Sequence, residues 1–137
     1  SFPIKAQYYY NEKEDPEKAL AVVNMWARIY PDDVDAYQFQ ALFYFVQQDL
    51  PPTIAAYEKI LTLDPSRVDV LADLADLHTQ LGNFDEAERS LKRYVEIYPT
   101  RADGYEDLSD FYSTIGRMAE ARDALAQAQL LQREAIG

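Results

Sequence analysis

The 137-residue sequence contains no cysteine, four glycines and a single histidine. The absence of cysteine excludes disulfides, thiolate metal sites and cysteine nucleophiles, and one histidine cannot build a site from several imidazoles. No apolar run approaches the roughly 18–20 residues of a membrane span, so we expect no membrane insertion. These features do not fix the compartment: we expect a soluble protein, with the cytoplasm favoured and an exported form left open.

The sequence also lacks an excess of positive charge. It contains 13 Lys and Arg but 24 Asp and Glu, which gives a net charge of −11. Binding to nucleic acid depends on neutralising phosphates with basic side chains, so we expect no nucleic-acid partner and favour a basic protein or peptide. The beginning, "SFPIKAQYYYNEK", carries neither an initiator Met nor a signal peptide. Such a start is typical of an excised or processed segment of a longer chain.

A period of 34 residues runs through the whole chain. Each period has two stretches with apolar residues at helical spacing, separated by a turn and closed by Pro or by a second turn. We therefore predict an all-α fold of eight helices in four pairs, forming one domain with repeats at about 1–33, 34–67, 68–101 and 102–135. The positions that repeat are Pro31, Pro65 and Pro99; Asp35, Asp69 and Asp103; Tyr10, Tyr44, His78 and Tyr112; and Asp15, Asp49 and Asn83.

The chain resembles a tetratricopeptide-repeat protein in the length of its unit and in the residues at the unit's signature positions. The resemblance implies a right-handed solenoid of helix pairs, in which the first helices line a concave face and a peptide usually lies there. Gln40, Thr53 and Trp26 depart from the family pattern, and Trp26 replaces a small residue. In the third repeat the matching residues are Leu71, Leu74, Ala75, His78, Ala87, Leu91, Tyr94 and Pro99.

The histidine lies close in sequence to acidic residues, within "LADLADLHTQ" at 71–80. A helix turns about 100° per residue, which places Asp69, Asp73 and Asp76 on one face and His78 on the opposite side. His78 also occupies a position where tyrosine recurs, so we predict that it packs in the core. We therefore expect no metal site, no cofactor and no catalytic centre, since no nucleophile–base pair or phosphate loop is present either.

The acidic residues of the third repeat recur in the fourth, and together they are the first candidate binding site. If the repeats stack in register, they form two acidic rows on adjacent first helices, at positions that contact peptides in the resembling family. The alternative is a solvated helix face, or residues that simply begin their helices. Acids also stand where one family subset places a Lys, Arg and Asn clamp, which disfavours acidic C-terminal tails as ligands. The residues are Asp69, Asp73, Asp76, Asp103, Glu106, Asp107 and Asp110.

The second candidate site is apolar. Phe39, Leu42, Phe45 and Val46 fall outside the packing positions of "YQFQALFYFV", and we expect them to project toward the groove with Tyr8. The alternative is burial under the N-terminal helix or under a neighbouring segment absent from this sequence. The two sites together predict a groove suited to a peptide with basic and aromatic or apolar residues.

The last predicted helix has no closing Pro and carries Leu125, Leu130 and Leu131. Terminal repeats need a polar outer face or a cap, so we expect these leucines to contact either a second copy, as a homodimer, or the rest of a longer chain. The sequence thus predicts a non-catalytic protein-interaction scaffold. Two alternatives stay open: a regulatory or substrate-docking region of a larger enzyme, and a homo-oligomerisation module.

Overall fold

The fold is all-α, as predicted. The computed structural model describes residues 1–136, and within that range it contains eight α-helices and no strand. None of these helices combines the length and the hydropathy needed to cross a membrane. The first helix continues as a π-helical turn over Tyr8–Glu12. The helices are α1 (Phe2–Gln7), α2 (Pro16–Ile29), α3 (Val34–Val46), α4 (Leu50–Leu63), α5 (Val68–Gln80), α6 (Phe84–Ile97), α7 (Ala102–Thr114) and α8 (Met118–Ile136).

The 34-residue period is visible in the backbone as well as in the sequence. The turn between the two helices of each pair contains one residue with positive φ, at 49°, 59°, 78° and 84° in chain order. These residues are Glu14, Gln48, Gly82 and Gly116, which are spaced 34 apart. Glycine suits this left-handed conformation because it has no Cβ to clash with the carbonyl. The residue with positive φ is glycine in the third and fourth repeats, whereas in the first two repeats it carries a long side chain.

Helix starts follow local chemistry. Asp15 precedes Pro16, and its Oδ1 accepts a hydrogen bond from the backbone N–H of Lys18 at 3.1 Å, which satisfies one of the free donors of the first turn. Asp49 occupies the equivalent position before α4, but its side chain makes no capping hydrogen bond. In the same turn, the hydroxyl of buried Thr53 donates to the backbone oxygen of Asp49 at 2.8 Å.

The chain divides into two compact units, Ser1–Arg67 and Val68–Gly137, and this division falls at the predicted boundary between the second and third repeats. In the first unit, Trp26 is almost fully buried and its indole N–H donates to Asp33 Oδ2 at 2.9 Å. Phe2 stacks on the indole with ring centroids 6.0 Å apart. Gln40, another departure from the family pattern, donates to Asn24 Oδ1 at 2.9 Å and so links α3 to α2.

The core of the second unit is formed by side chains of α5, α6, α7 and α8, among them the buried Ala75, Leu91, Phe111 and Ala124. At Gly104, helices α6 and α7 come so close that an added Cβ would lie 2.8 Å from side-chain atoms of Tyr94 and Val95. The hydroxyl of Tyr112 donates to Glu88 Oε2 at 2.6 Å, and Arg117 contacts the same carboxylate at 3.2 Å. The hydrogen bond from Tyr112 is the main cause that lowers the pKa of Glu88.

Candidate functional site

The structure brings acidic side chains of the third and fourth repeats together at one cleft, called here the acidic cleft. It has a volume of about 250 Å³, and Asp76 of α5 and Asp107 and Asp110 of α7 contribute its carboxylates. One residue of the first predicted acidic row and two of the second therefore line the same cleft. The cleft is lined by Ala72, Ala75, Asp76, Thr79, Leu91, Asp107, Asp110, Phe111 and Thr114.

The acidic cleft has an apolar floor. Ala75, Leu91 and Phe111 are each at most 5% exposed and belong to the core of the second unit. The hydroxyls of Thr79 and Thr114 donate to the backbone carbonyls four residues earlier, both at 2.8 Å. These hydroxyls are thus engaged within their own helices, and the carboxylates are the strongest acceptors that face the opening.

The carboxylates of the cleft are held in an environment that opposes their charge. Burial is the main cause that raises the pKa of Asp107 to about 6, and the nearby carboxylates of Asp76 and Asp110 raise it further. Burial also raises the pKa of Asp73 and of Asp76, and Asp76 and Asp69 add repulsion at Asp73. Within residues 1–136, no Lys or Arg forms a salt bridge with Asp73, Asp76, Asp107 or Asp110. A cation entering the cleft would relieve this repulsion.

The remaining acidic candidates lie around the cleft and have other contacts. Asp69 and Asp103 stand in the first turns of α5 and α7. Asp103 lies 3.6 Å from an Arg101 guanidinium nitrogen. The carboxylate of Glu106 accepts a hydrogen bond from the Gln132 side chain on α8. Of the seven acidic residues that the sequence predicted as a binding site, only Asp76, Asp107 and Asp110 therefore line the acidic cleft.

The apolar candidates lie in the first unit. Leu42, Phe45 and Val46, called here the α3 apolar face, occupy one side of α3 and are 47–50% exposed. Phe39 does not project as predicted. It is half-buried between two core clusters, with ring centroids 5.7 Å from Trp26 and 5.8 Å from Phe43.

Tyr8 has a different set of neighbours. Its ring lies edge-on to Tyr9 at 5.5 Å, and the Lys13 ammonium sits 5.8 Å from its centroid. Tyr8 also lines a cleft of about 500 Å³ on the first two helices. Sequence reasoning missed this second cleft. The apolar residues Ile4, Val22 and Met25, spaced by helical turns in α1 and α2, were the signal that pointed to it.

His78 is buried in α5, as predicted, with 7% exposure. Its Nδ1 lies 3.4 Å from the Asn83 side-chain nitrogen. Within residues 1–136, no three His, Asp or Glu side chains are grouped so that they could hold a metal ion. The acidic cleft thus offers charge and shape to a ligand but no chelating geometry.

Comparisons with known proteins agree with the repeat pattern. A tetratricopeptide-repeat model matches residues 40–106, and a second model of that description matches residues 102–134. The TPR repeat-containing protein YpiA of Bacillus subtilis (strain 168) is 32% identical over 88 residues, which are 64% of this chain and 21% of YpiA. The chain therefore spans about a fifth of the length of this curated relative.

Solved structures share the fold. A crystal structure of MamA superposes with a TM-score of 0.76 at 17% identity, covering 96% of this chain and 76% of MamA. MamA 41-end from Desulfovibrio magneticus RS-1 gives a TM-score of 0.72 at 21% identity, covering 97% of this chain and 75% of that one. At these identities the likeness establishes the helical-repeat fold alone.

Proposed function

Because the chain belongs to the tetratricopeptide-repeat family, as its 34-residue period predicted, we propose that it is a non-catalytic scaffold that binds a basic segment of a partner protein in the acidic cleft. The observation that carries the proposal is the cleft itself, in which three carboxylates from two repeats border an apolar floor and form no salt bridge with a Lys or Arg of residues 1–136. Repulsion among these carboxylates costs stability, and their use in recognition would account for it.

The shape of the cleft suits a lysine or arginine side chain. The aliphatic part of such a side chain would pack on Ala75 and Phe111, while its charged end would meet Asp76, Asp107 and Asp110. Hydrogen bonds between charged groups in a partly desolvated site contribute about 1–3 kcal/mol each. Asp73 and the flanking acids Asp69, Asp103 and Glu106 would attract the same partner over a longer range.

The α3 apolar face supports a second part of the proposal. Leu42, Phe45 and Val46 would receive aromatic or aliphatic side chains of the partner, and Tyr8 would extend such a surface. Phe39 would then contribute indirectly, because its contacts with Trp26 and Phe43 hold α3 in position. We therefore propose a partner segment that contains both basic and apolar residues. That the four repeats form one domain of a longer chain also stays a prediction.

Two other functions remain candidates. A regulatory or substrate-docking region of a larger enzyme would use the same surfaces, and the sequence flanking this segment in its gene would distinguish it from a free adaptor. Self-association is favoured by a specific observation, because Leu125 and Leu130 of α8 are 44% and 42% exposed. Leu131, the third leucine of that prediction, is half-buried.

The test of the proposal is affinity capture from a cell lysate with charge-reversed variants. Asp73→Lys combined with Asp107→Lys cancels the net negative charge of the cleft and its neighbour Asp73, because Asp76 and Asp110 keep their carboxylates, whereas Glu96→Lys combined with Glu134→Lys makes the same change in net charge at exposed sites on α6 and α8. We expect the cleft variant to lose basic partners that the wild type and the control variant retain. Rising salt should release those partners from the wild type. Equal capture by the two variants would refute a role for the acidic cleft.

A further inference from the structure

The acidic cleft holds three like charges in one small cavity. Asp76 of α5 and Asp107 and Asp110 of α7 line a volume of about 250 Å³ over an apolar floor. The hydroxyls of Thr79 and Thr114, which line the same cavity, already donate to backbone carbonyls of their own helices. Within residues 1–136, the three carboxylates form no salt bridge with a Lys or Arg. Like charges held together in a partly desolvated site favour the binding of a proton.

The carboxylate most affected is Asp107. Burial is the largest cause that raises its pKa to about 6, and four nearby carboxylates raise it further. One of them lies across the cleft on α5 and three lie on α7 itself: Asp76, Asp110, Asp103 and Glu106, in order of effect. The geometry and the charges of the cleft thus agree that Asp107 takes up a proton near pH 6.

The other helices packed on α7 bring different groups to this region. From α6 comes Tyr94, whose pKa is raised mainly by burial, with the charge of Asp107 as a smaller cause, and a tyrosine with a raised pKa stays protonated at neutral pH. From α8 comes the uncharged amide of Gln132, which donates to Glu106. On α5, His78 is buried, and the helical turn places it on the side away from Asp76.

We propose that a basic ligand and a proton compete for the acidic cleft, so that mild acid releases the partner. A cation and a proton neutralise the same carboxylate of Asp107, and each therefore weakens the binding of the other. When the ligand enters, the proton of Asp107 passes to the solvent. The inference rests on the proposed function, because it requires a basic ligand in this cleft. It adds that occupancy of the cleft depends on pH in a range where lysine and arginine side chains do not titrate.

Isothermal titration calorimetry tests the competition at pH about 5 and about 7.5 with an acetylated and amidated peptide of lysine and phenylalanine, which carries no group that titrates in this range. With the pKa of Asp107 at about 6, only about a tenth of the clefts are deprotonated at pH about 5. We therefore expect the peptide to bind about tenfold more weakly there. At pH about 6, heats of binding in buffers of different ionisation enthalpy should show release of about half a proton per peptide.

Two variants assign the proton to a residue. Asp107→Asn removes the carboxylate that takes it up, whereas Asp123→Asn removes an exposed carboxylate of α8 as the matched control. We expect Asp107→Asn to bind more weakly at pH about 7.5 and to lose most of the pH dependence, and the control to keep it. Since His78 is present in both variants, this difference separates the cleft from the imidazole. Circular dichroism at both pH values checks that each protein is folded.

The outcomes separate the inference from the proposed function. Equal affinity of the wild type at the two pH values, or a pH dependence that survives Asp107→Asn, would refute the competition and leave the proposed function standing. Absence of proton release by the wild type at pH about 6 would refute the competition without the use of any variant. A wild type that binds the peptide at neither pH would refute both.

Discussion

Replacing Asp107 with asparagine should stabilise the protein at neutral pH. The unfolded chain ionises this carboxyl near its ordinary pKa of 3.8, whereas the folded chain does so at about 6. Between these values the folded state binds more protons, so the free energy of unfolding falls as pH rises through about 6 and is level above it. The full difference in pKa corresponds to about 3 kcal/mol. Because the side chain is only half-buried, we expect solvent screening to reduce this to about 1 kcal/mol.

Urea unfolding of the wild type and Asp107→Asn at pH about 4.5 and about 7.5 measures this effect. Far-ultraviolet circular dichroism is the suitable signal, because the single tryptophan lies in the first unit and Asp107 in the second. We expect the variant to gain about 1 kcal/mol at the higher pH and little at the lower one. Asp123→Asn, which removes an exposed carboxylate from α8, is the control. An equal gain in the free energy of unfolding in both variants, or no gain in Asp107→Asn, would show that the cleft does not destabilise the ionised form of Asp107.

Three further predictions concern the fold. Gln48→Gly should raise the free energy of urea unfolding by about 0.5–1 kcal/mol by relieving a positive φ, and Gly82→Ala should lower it by a similar amount. Gly104→Ala should cost about 1–3 kcal/mol in the same assay, because its Cβ would lie 2.8 Å from side chains of α6. Tyr112→Phe should lower the thermal midpoint, with a loss of about 1–2 kcal/mol, by removing the hydrogen bond to Glu88.

The fold was predictable because its main constraint is periodic. Prolines, aspartates and ring positions recur every 34 residues, so each repeat supplies an independent indication of the same helix pair. The positive φ at Gln48 could be inferred only after its position was aligned with Gly82 and Gly116. Nothing in the glutamine itself suggests that conformation.

The candidate sites were predictable in part. Helical geometry and the repeat interval placed Asp76, Asp107 and Asp110 on facing helices, and the structure brings them to one cleft. The prediction for Phe39 was wrong because the family pattern assumes a small residue where Trp26 stands, and the large indole packs against the Phe39 ring. The raised pKa of Asp107 depends on burial and on distances between helices, which a sequence does not state.

The most direct test of the central claim, that a basic partner binds in the acidic cleft, is a nuclear magnetic resonance titration of the isotopically labelled chain. The ligand would be a synthetic peptide rich in lysine and phenylalanine. We expect the largest amide shift changes at Asp73, Asp76, Asp107 and Asp110, their loss in the Asp73→Lys/Asp107→Lys variant, and their retention in the Glu96→Lys/Glu134→Lys control. Shift changes centred on the outer face of α6, or equal changes in both variants, would contradict the claim.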